Sequence, residues 1–223
     1  MATPKHILTT FDEALSDLRK DLLTMVELSE HSLSHAINGL LQRDDHLCTK
    51  AIADDEQVDQ LETQIDKTGV EILLRYQPVA SDLRQVISVM KLSPNIERIA
   101  DEATNIAEAA SKLNEHPPLN EVNLIVPIHA HAISMFKDSV DAFVREDVEL
   151  ARAVVSRDKR LDELNAFANR QLTERMMQDS ERLRDYLDLI LVSRCLERVG
   201  DHAANIAEDA VYAAAAEDIR YQT

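Results

Sequence analysis

Acidic side chains recur at helical spacing in two places along this chain of 223 residues. Glu97, Asp101, Asn105 and Glu108 lie in the stretch ERIADEATNIAE, which returns one hundred residues later as ERVGDHAANIAE with Glu197, Asp201, Asn205 and Glu208. On a helix turning about 100° per residue, the first four fall within an arc of about 80°. A second stripe, Asp55, Asp59, Glu62 and Asp66, spans about 60°, and its counterparts in the other half are Asp158, Asp162, Asn165 and Asn169. Carboxylates with an amide carbonyl and no thiol are hard oxygen donors. They suit Mg2+, Mn2+, Ca2+ or iron rather than a cysteine-rich zinc site.

The ordinary reading of an acidic stripe is a solvated helix face. Like charges at i,i+4 cost roughly 0.2–0.5 kcal/mol per pair, so surface helices usually interleave them with Lys or Arg. Arg98 and Lys112 can offset Asp101 and Glu108, and Arg194 and Arg198 can serve Glu197 and Asp201. No basic residue stands three or four positions from any member of the stripe at 55–66. If the helices carrying the two stripes pack side by side, the carboxylates converge into one cation site per repeat.

The elements that must position these groups follow from apolar periodicity. Phe11, Leu15, Leu18, Leu22, Met25, Leu33, Ala36, Ile37 and Leu40 recur mostly at intervals of three and four, which predicts a helix over about 6–42. Asp44 and Asp45 are caps for a second helix over about 46–76, with Val58, Leu61, Ile65 and Ile72 inward and Pro78 beyond its end. A third helix covers about 80–114, with a kink or local break expected at Pro94. The punctuated stretch His116-Pro117-Pro118 marks the midpoint, and the plan repeats as helices over about 124–145, 148–177 and 180–219. Pro127 is either in the first turn of the fourth helix or a kink in it. No stretch alternates with period two, so no strands are predicted. Across 83–108 and 183–208, 11 of 26 aligned positions are identical without a gap, close enough to fix the register of the duplication. The chain is therefore expected to be all-α, two tandem three-helix bundles with one repeat at 1–116 and the other at 117–223.

A net charge of −17 excludes direct contact with nucleic acid or an anionic lipid surface and favours basic partners. No apolar leader opens the chain and no apolar run reaches about 18 residues, so a cytoplasmic protein without membrane insertion is predicted. Cys48 and Cys195 lack partner spacing and read as buried apolar residues. There is no phosphate-binding glycine loop, nucleophile elbow or dinucleotide fingerprint, so no catalytic residue is assigned.

The segments QPVASDLR at 77–84, ERIAD at 97–101 and LERVGDHAANIAE at 196–208 closely resemble the PhoU family of bacterial phosphate-uptake regulators, over essentially the whole chain. The resemblance implies two three-helix bundles, often dimeric, that bind metal ions through E(D)xxxD stripes, the ion being Mg, Mn, Fe or Zn. It implies a cytoplasmic negative regulator of phosphate uptake and of the phosphate-starvation response. Such a protein works as an adaptor between the ATPase subunit of the phosphate ABC transporter and a sensor histidine kinase. Carried onto this sequence, the metal residues are Asp55, Asp59, Glu62, Glu97, Asp101 and Glu108, and Asp158, Asp162, Glu197, Asp201 and Glu208. Ala100 replaces the glycine seen at Gly200, Glu102 the histidine seen at His202, and Asn165 and Asn169 remove two charges, so the second site is expected to bind fewer or weaker ions.

Two alternatives stand beside the adaptor, a metal-dependent bundle enzyme and a metal-free scaffold. Bundle di-metal enzymes use Glu-x-x-His pairs, absent from both stripes. His31 and His35 stand at i,i+4 without a third ligand in sequence and read as exposed helix histidines. His129 and His131 face different ways, and His202 is a ligand or outer-shell candidate. Arg84 and Arg184 read as salt-bridging residues, and Gly200 as a point of close helix approach.

Overall fold

A computed structural model describes residues 4–220, with side chains from Thr10 onward. It contains six long helices: α1 (Pro4–Gln42), α2 (Asp45–Tyr76), α3 (Ala80–Asn114), α4 (Ile125–Arg145), α5 (Val148–Gln178) and α6 (Leu183–Ala215). Short 3-10 turns at Asn120–Leu124 and Ser180–Arg182 precede α4 and α6, and no strand occurs among the described residues. Helices α1, α2 and α3 pack together, as do α4, α5 and α6, and α3 lies against α6. This is the expected pair of tandem three-helix bundles.

The duplication reaches down to single turns. Asp44 caps α2 by accepting from the backbone N–H groups of His46 and Leu47, and Asp147 caps α5 by accepting from Leu150. Before each cap stands a non-glycine residue in the left-handed region, Arg43 at φ 58° and Glu146 at φ 55°. The Asp44 and Asp147 amides then bond back to Gly39 and Ala142 carbonyls at 3.0 and 2.9 Å, satisfying carbonyls that the helix end leaves open. Arg43 also ties the first bundle to the central linker, its guanidinium donating to the carbonyls of Leu113, Asn114 and His116.

Both ends of α6 differ from expectation, and the two prolines left open by the sequence are settled. Helix α6 stops at Ala215, because Ala216 adopts a left-handed conformation at φ 57° and its N–H closes on Tyr212. Residues 180–182 are a 3-10 turn rather than the start of α6. Pro127 sits in the first turn of α4, where a missing N–H has no partner to lose. Helix α3 runs unbroken through Pro94. The Met90 carbonyl, deprived of its i+4 donor, accepts from the Ser93 hydroxyl at 3.4 Å instead.

The contact between repeats is antiparallel and symmetric about Ala100 and Gly200. Glu102, two past Ala100, meets Arg198, two before Gly200, at 2.7 Å. Asn95 and Asn205, five on either side, meet at 3.4 Å. Lys91 and Asp209, nine on either side, also meet at 3.4 Å, with the Lys91 ammonium 4.7 Å from the Tyr212 ring centroid. A residue before Ala100 facing its numerical mirror beyond Gly200 means that a local twofold relates the bundles.

Gly200 is required by the approach of α5: a Cβ there would stand 2.0 Å from Leu161 Cδ2. The equivalent positions of the first repeat are Ala100 and Val58, both buried, so a larger residue on one helix goes with a smaller one on its neighbour. Gly200→Ala is expected to lower stability by about 1–3 kcal/mol through overpacking, and adding Leu161→Val to recover most of it in chemical denaturation. Arg198→Ala leaves the Glu102 carboxylate, 1% exposed, without its cation. It is expected to cost about 1–3 kcal/mol, the penalty of a buried acceptor losing its partner, with Glu102→Gln restoring part of the loss.

Candidate metal centre

Helices α3 and α6 bury their apolar stripes so fully that polar groups occupy only the remaining face. Leu92, Ile96, Ile99, Ala103, Ile106 and Ala110 are buried on α3, and Leu196, Val199, Ala203, Ile206 and Ala210 on α6. Glu97 and Asp101 fall on the edge of α3 next to α2, and α2 presents Asp55, Asp59 and Glu62 toward them. Part of each stripe is thus brought within electrostatic reach of the other, while Asp66, at the far end of the α2 stripe, is exposed and outside this group. Burial, then the negative charges of Asp59 and Asp101, raise the Asp55 carboxyl above its ordinary range, with the neighbouring Thr104 hydroxyl opposing them. Glu97 is raised by burial and by Asp101, Asp59 and Glu62, with Arg98 opposing. Five carboxylates from two helices therefore share one field. Glu108, exposed and two turns further along, is not drawn into it.

The second repeat builds the same arrangement differently. Burial raises Asp158, with Asp201 and Asp162 adding to it. Burial and Asp162 raise Asp201, and burial with Asp201, Asp162 and Asp158 raises Glu197. Asp158, Asp162, Asp201, Asn205 and Glu208 line an open groove between α5 and α6. Glu208, raised by burial and by Asp209, joins this group although its counterpart Glu108 does not join the first. Asn165 stands where the first repeat has Glu62, and it is 5% exposed. It donates to Glu197, while its carbonyl accepts from Ser193 and from Asn169 at 3.1 Å. An amide network thus holds Glu197 where a repelling carboxylate faces Glu97.

Basic residues divide unequally. Arg98 donates to Asp101 at 2.8 Å and lies 3.3 Å from Glu97, as its spacing suggested. Arg198 instead crosses the repeat boundary to Glu102, and among the described residues neither Glu197 nor Asp201 has an ion pair, Arg194 and Arg198 opposing the rise of their pKa only from a distance. The Glu102–Arg198 tie was not legible in the sequence, where the only sign of it is the mismatch between Glu102 and His202. By the local twofold, His202 faces Arg98; burial, with the charges of Arg198 and Arg98, lowers its pKa, and its Nδ1 lies 3.1 Å from Asn95 Oδ1. Arg84 and Arg184 form no ion pair among the described residues, contrary to expectation, and the buried Arg84 Nε has no hydrogen-bond partner. Cys48 and Cys195 are buried free thiols, both with raised pKa, Cys195 by burial and by the adjoining Glu102.

Among the described residues no three carboxylate, imidazole or thiol groups close around one point as placed. The donor set nevertheless fits a hard cation in kind. Asp55 Oδ1 and Asp158 Oδ1, equivalent atoms of the two repeats, are both buried with no hydrogen-bond partner. A buried carboxylate oxygen facing other carboxylates is costly unless a cation or proton joins it.

A carboxylate whose folded pKa is raised gives the native state extra protons, so its charge opposes folding above the ordinary carboxylate range near pH 4 and ceases to do so below it. Asp55→Asn and Asp158→Asn are each expected to stabilise chelator-treated protein at pH 7.5 by about 0.5–1 kcal/mol, from two like-charge neighbours at roughly 0.2–0.5 kcal/mol each. The difference from the parent chain should shrink as pH falls toward 4 in thermal melts.

A family model described as the PhoU domain matches residues 22–110 and 125–210. The phosphate-specific transport system accessory protein PhoU homolog of Pseudomonas aeruginosa is 38% identical over 218 residues, covering 97% of this chain and 90% of that protein. The PhoU accessory protein of Escherichia coli K12 is 34% identical over 219 residues, with 97% and 90% covered. The crystal structure of PhoU from Pseudomonas aeruginosa superposes with a TM-score of 0.89 at 38% identity, over 93% of this chain and all of that one. The phosphate transport system regulatory protein PhoU from Streptococcus pneumoniae gives 0.85 at 26% identity, over 93% and 98%.

Proposed function

The chain belongs to the PhoU family, and on that premise we propose that it is an accessory protein of phosphate-specific transport that restrains phosphate uptake and the phosphate-starvation response. Its output is association rather than turnover. It is an adaptor, acting in the cytoplasm as a homodimer, between the ATPase subunit of the phosphate ABC transporter and a sensor histidine kinase. The relatives' names, which are those of accessory and regulatory proteins, support this reading. No helix among the described residues is long and apolar enough to cross a membrane, which agrees with a partner that docks on membrane proteins from one side.

The observation that carries the metal part of the reading is the pair of unpartnered oxygens, Asp55 Oδ1 and Asp158 Oδ1, at equivalent places. Asp55, Asp59, Glu62, Glu97 and Asp101 hold a divalent or trivalent cation in the first repeat, with Glu108 at the outer end of the stripe. Asp158, Asp162, Glu197, Asp201 and Glu208 do so in the second. When bound, the ion supplies positive charge that cancels the repulsion among these groups and fixes α2 against α3, or α5 against α6. A switch follows only if the two states of a partner bind the protein with different affinity.

Metal analysis of tag-free protein before and after chelation is expected to find a cation that Asp101→Ala/Asp201→Ala diminishes, with Mg2+ or Mn2+ raising the melting temperature of the parent. In pull-downs, the parent chain should retain the transporter ATPase and the kinase cytoplasmic region, and the double variant should retain less. Retention of neither partner at high or low phosphate would sink the adaptor reading. Absence of metal together with unchanged melting would sink the metal part alone.

A further inference from the structure

The α1–α2 contact of the first repeat carries a polar junction that its counterpart explains by contrast. In the second repeat the positions are Ser134, Asp138 and Arg157. The Arg157 guanidinium donates to Asp138 and, at 2.8 Å, to the Ser134 hydroxyl, so a permanent ion pair ties α4 to α5. The equivalent residues of the first repeat are His31, His35 and Asp54. The cation has changed sides and become an imidazole, and the hydroxyl has become a second one.

His35 Nδ1 lies 3.4 Å from Asp54 Oδ2. The contact is not a hydrogen bond, since the buried Nδ1 atom has no hydrogen-bond partner. Two donors held about 2.0–2.2 Å from a tetrahedral ion stand roughly 3.4 Å apart. The pair is therefore at the spacing of two ligands rather than of donor and acceptor. His31 lies one turn before His35 on the same face of α1, is exposed, and has its ring centroid 6.5 Å from that of His35. The three groups do not close around one point as placed; a different rotamer of the exposed His31 ring has to bring the third donor, with water in the fourth position.

We propose that His31, His35 and Asp54 form a binding site for an imidazole-preferring transition-metal ion, of which Zn2+ is the probe of choice. Two nitrogens and one carboxylate select Zn2+, Cu2+ or Co2+ over Mg2+ and Ca2+, which take oxygen ligands. The site uses no residue of the carboxylate stripes, and it occupies the place where the second repeat has a bridge complete without any ligand. It would fasten α1 to α2 in the first repeat as Arg157 fastens α4 to α5 in the second.

The test uses the full chain without a tag, stripped by chelator and then held in excess Mg2+ to occupy the stripes. Calorimetric titration with Zn2+ is expected to show one ion per chain. His35→Ala and His31→Ala should each bind at least about tenfold more weakly. Co2+ should develop the visible absorption of a four-coordinate centre that Asp54→Asn weakens and Asp101→Asn leaves intact. His31 is exposed, so its variant keeps the experiment decisive even if His35→Ala disturbs packing. Unchanged Zn2+ affinity in either histidine variant, no Zn2+ binding in the presence of Mg2+, or loss of the Co2+ spectrum in Asp101→Asn would each overturn the proposal.

Discussion

Helices α3 and α6 have to bury two faces each, one against the other two helices of their own bundle and one against each other. Most other features follow from this double burial. It leaves a helix of more than thirty residues only a narrow polar edge. On α3 that edge carries Glu97 and Asp101, and on α6 Glu197 and Asp201. Because the edge borders α2 or α5, carboxylates of the neighbouring helix have one place to meet it. The charge clusters are thus a product of the packing: groups that repel one another are kept together by apolar contacts on the other sides of the same helices. A cation would act on a strain that the core maintains and solvent alone does not remove.

Much of this was legible in residue spacing. Apolar periodicity located the helices, and the aspartates before α2 and α5 marked their starts. The hundred-residue repeat placed equivalent carboxylates on equivalent helices. Less visible were features decided by distance across the fold. The end of α6 depends on Ala216 taking a left-handed conformation, for which an alanine gives no sign. The tolerance of Pro94 depends on a neighbouring serine reaching back to an orphaned carbonyl. A linear pattern offers Arg198 only i,i+3 and i,i+4 partners on its own helix. In the fold Arg198 finds a buried glutamate on α3, in the other repeat and adjacent in space.

Two copies of one design have also come apart chemically. The first gathers five carboxylates with Arg98 alone to offset them. The second replaces one charge by Asn165, whose amide links Glu197, Ser193 and Asn169 into a neutral network. The same divergence shows on the opposite side of each bundle, where a guanidinium–carboxylate bridge in one repeat corresponds to imidazoles and a carboxylate in the other. Polar groups beside a retained apolar core have exchanged identity, while the core positions they border have changed little in character.

The pairing of Glu102 with Arg198, opposite His202 beside Arg98, bears on how such a molecule can change over time. In an assembly of two identical half-length chains, any side chain at this position would appear on both sides of the axis, and a favourable substitution on one side would be imposed on the other. Joining the halves in one polypeptide removes that restriction. One side of the axis has a buried carboxylate bridged to an arginine, while the other has an imidazole bonded to Asn95. The duplicated chain has thereby acquired a distinguishable front and back, a prerequisite for presenting different surfaces to different neighbours.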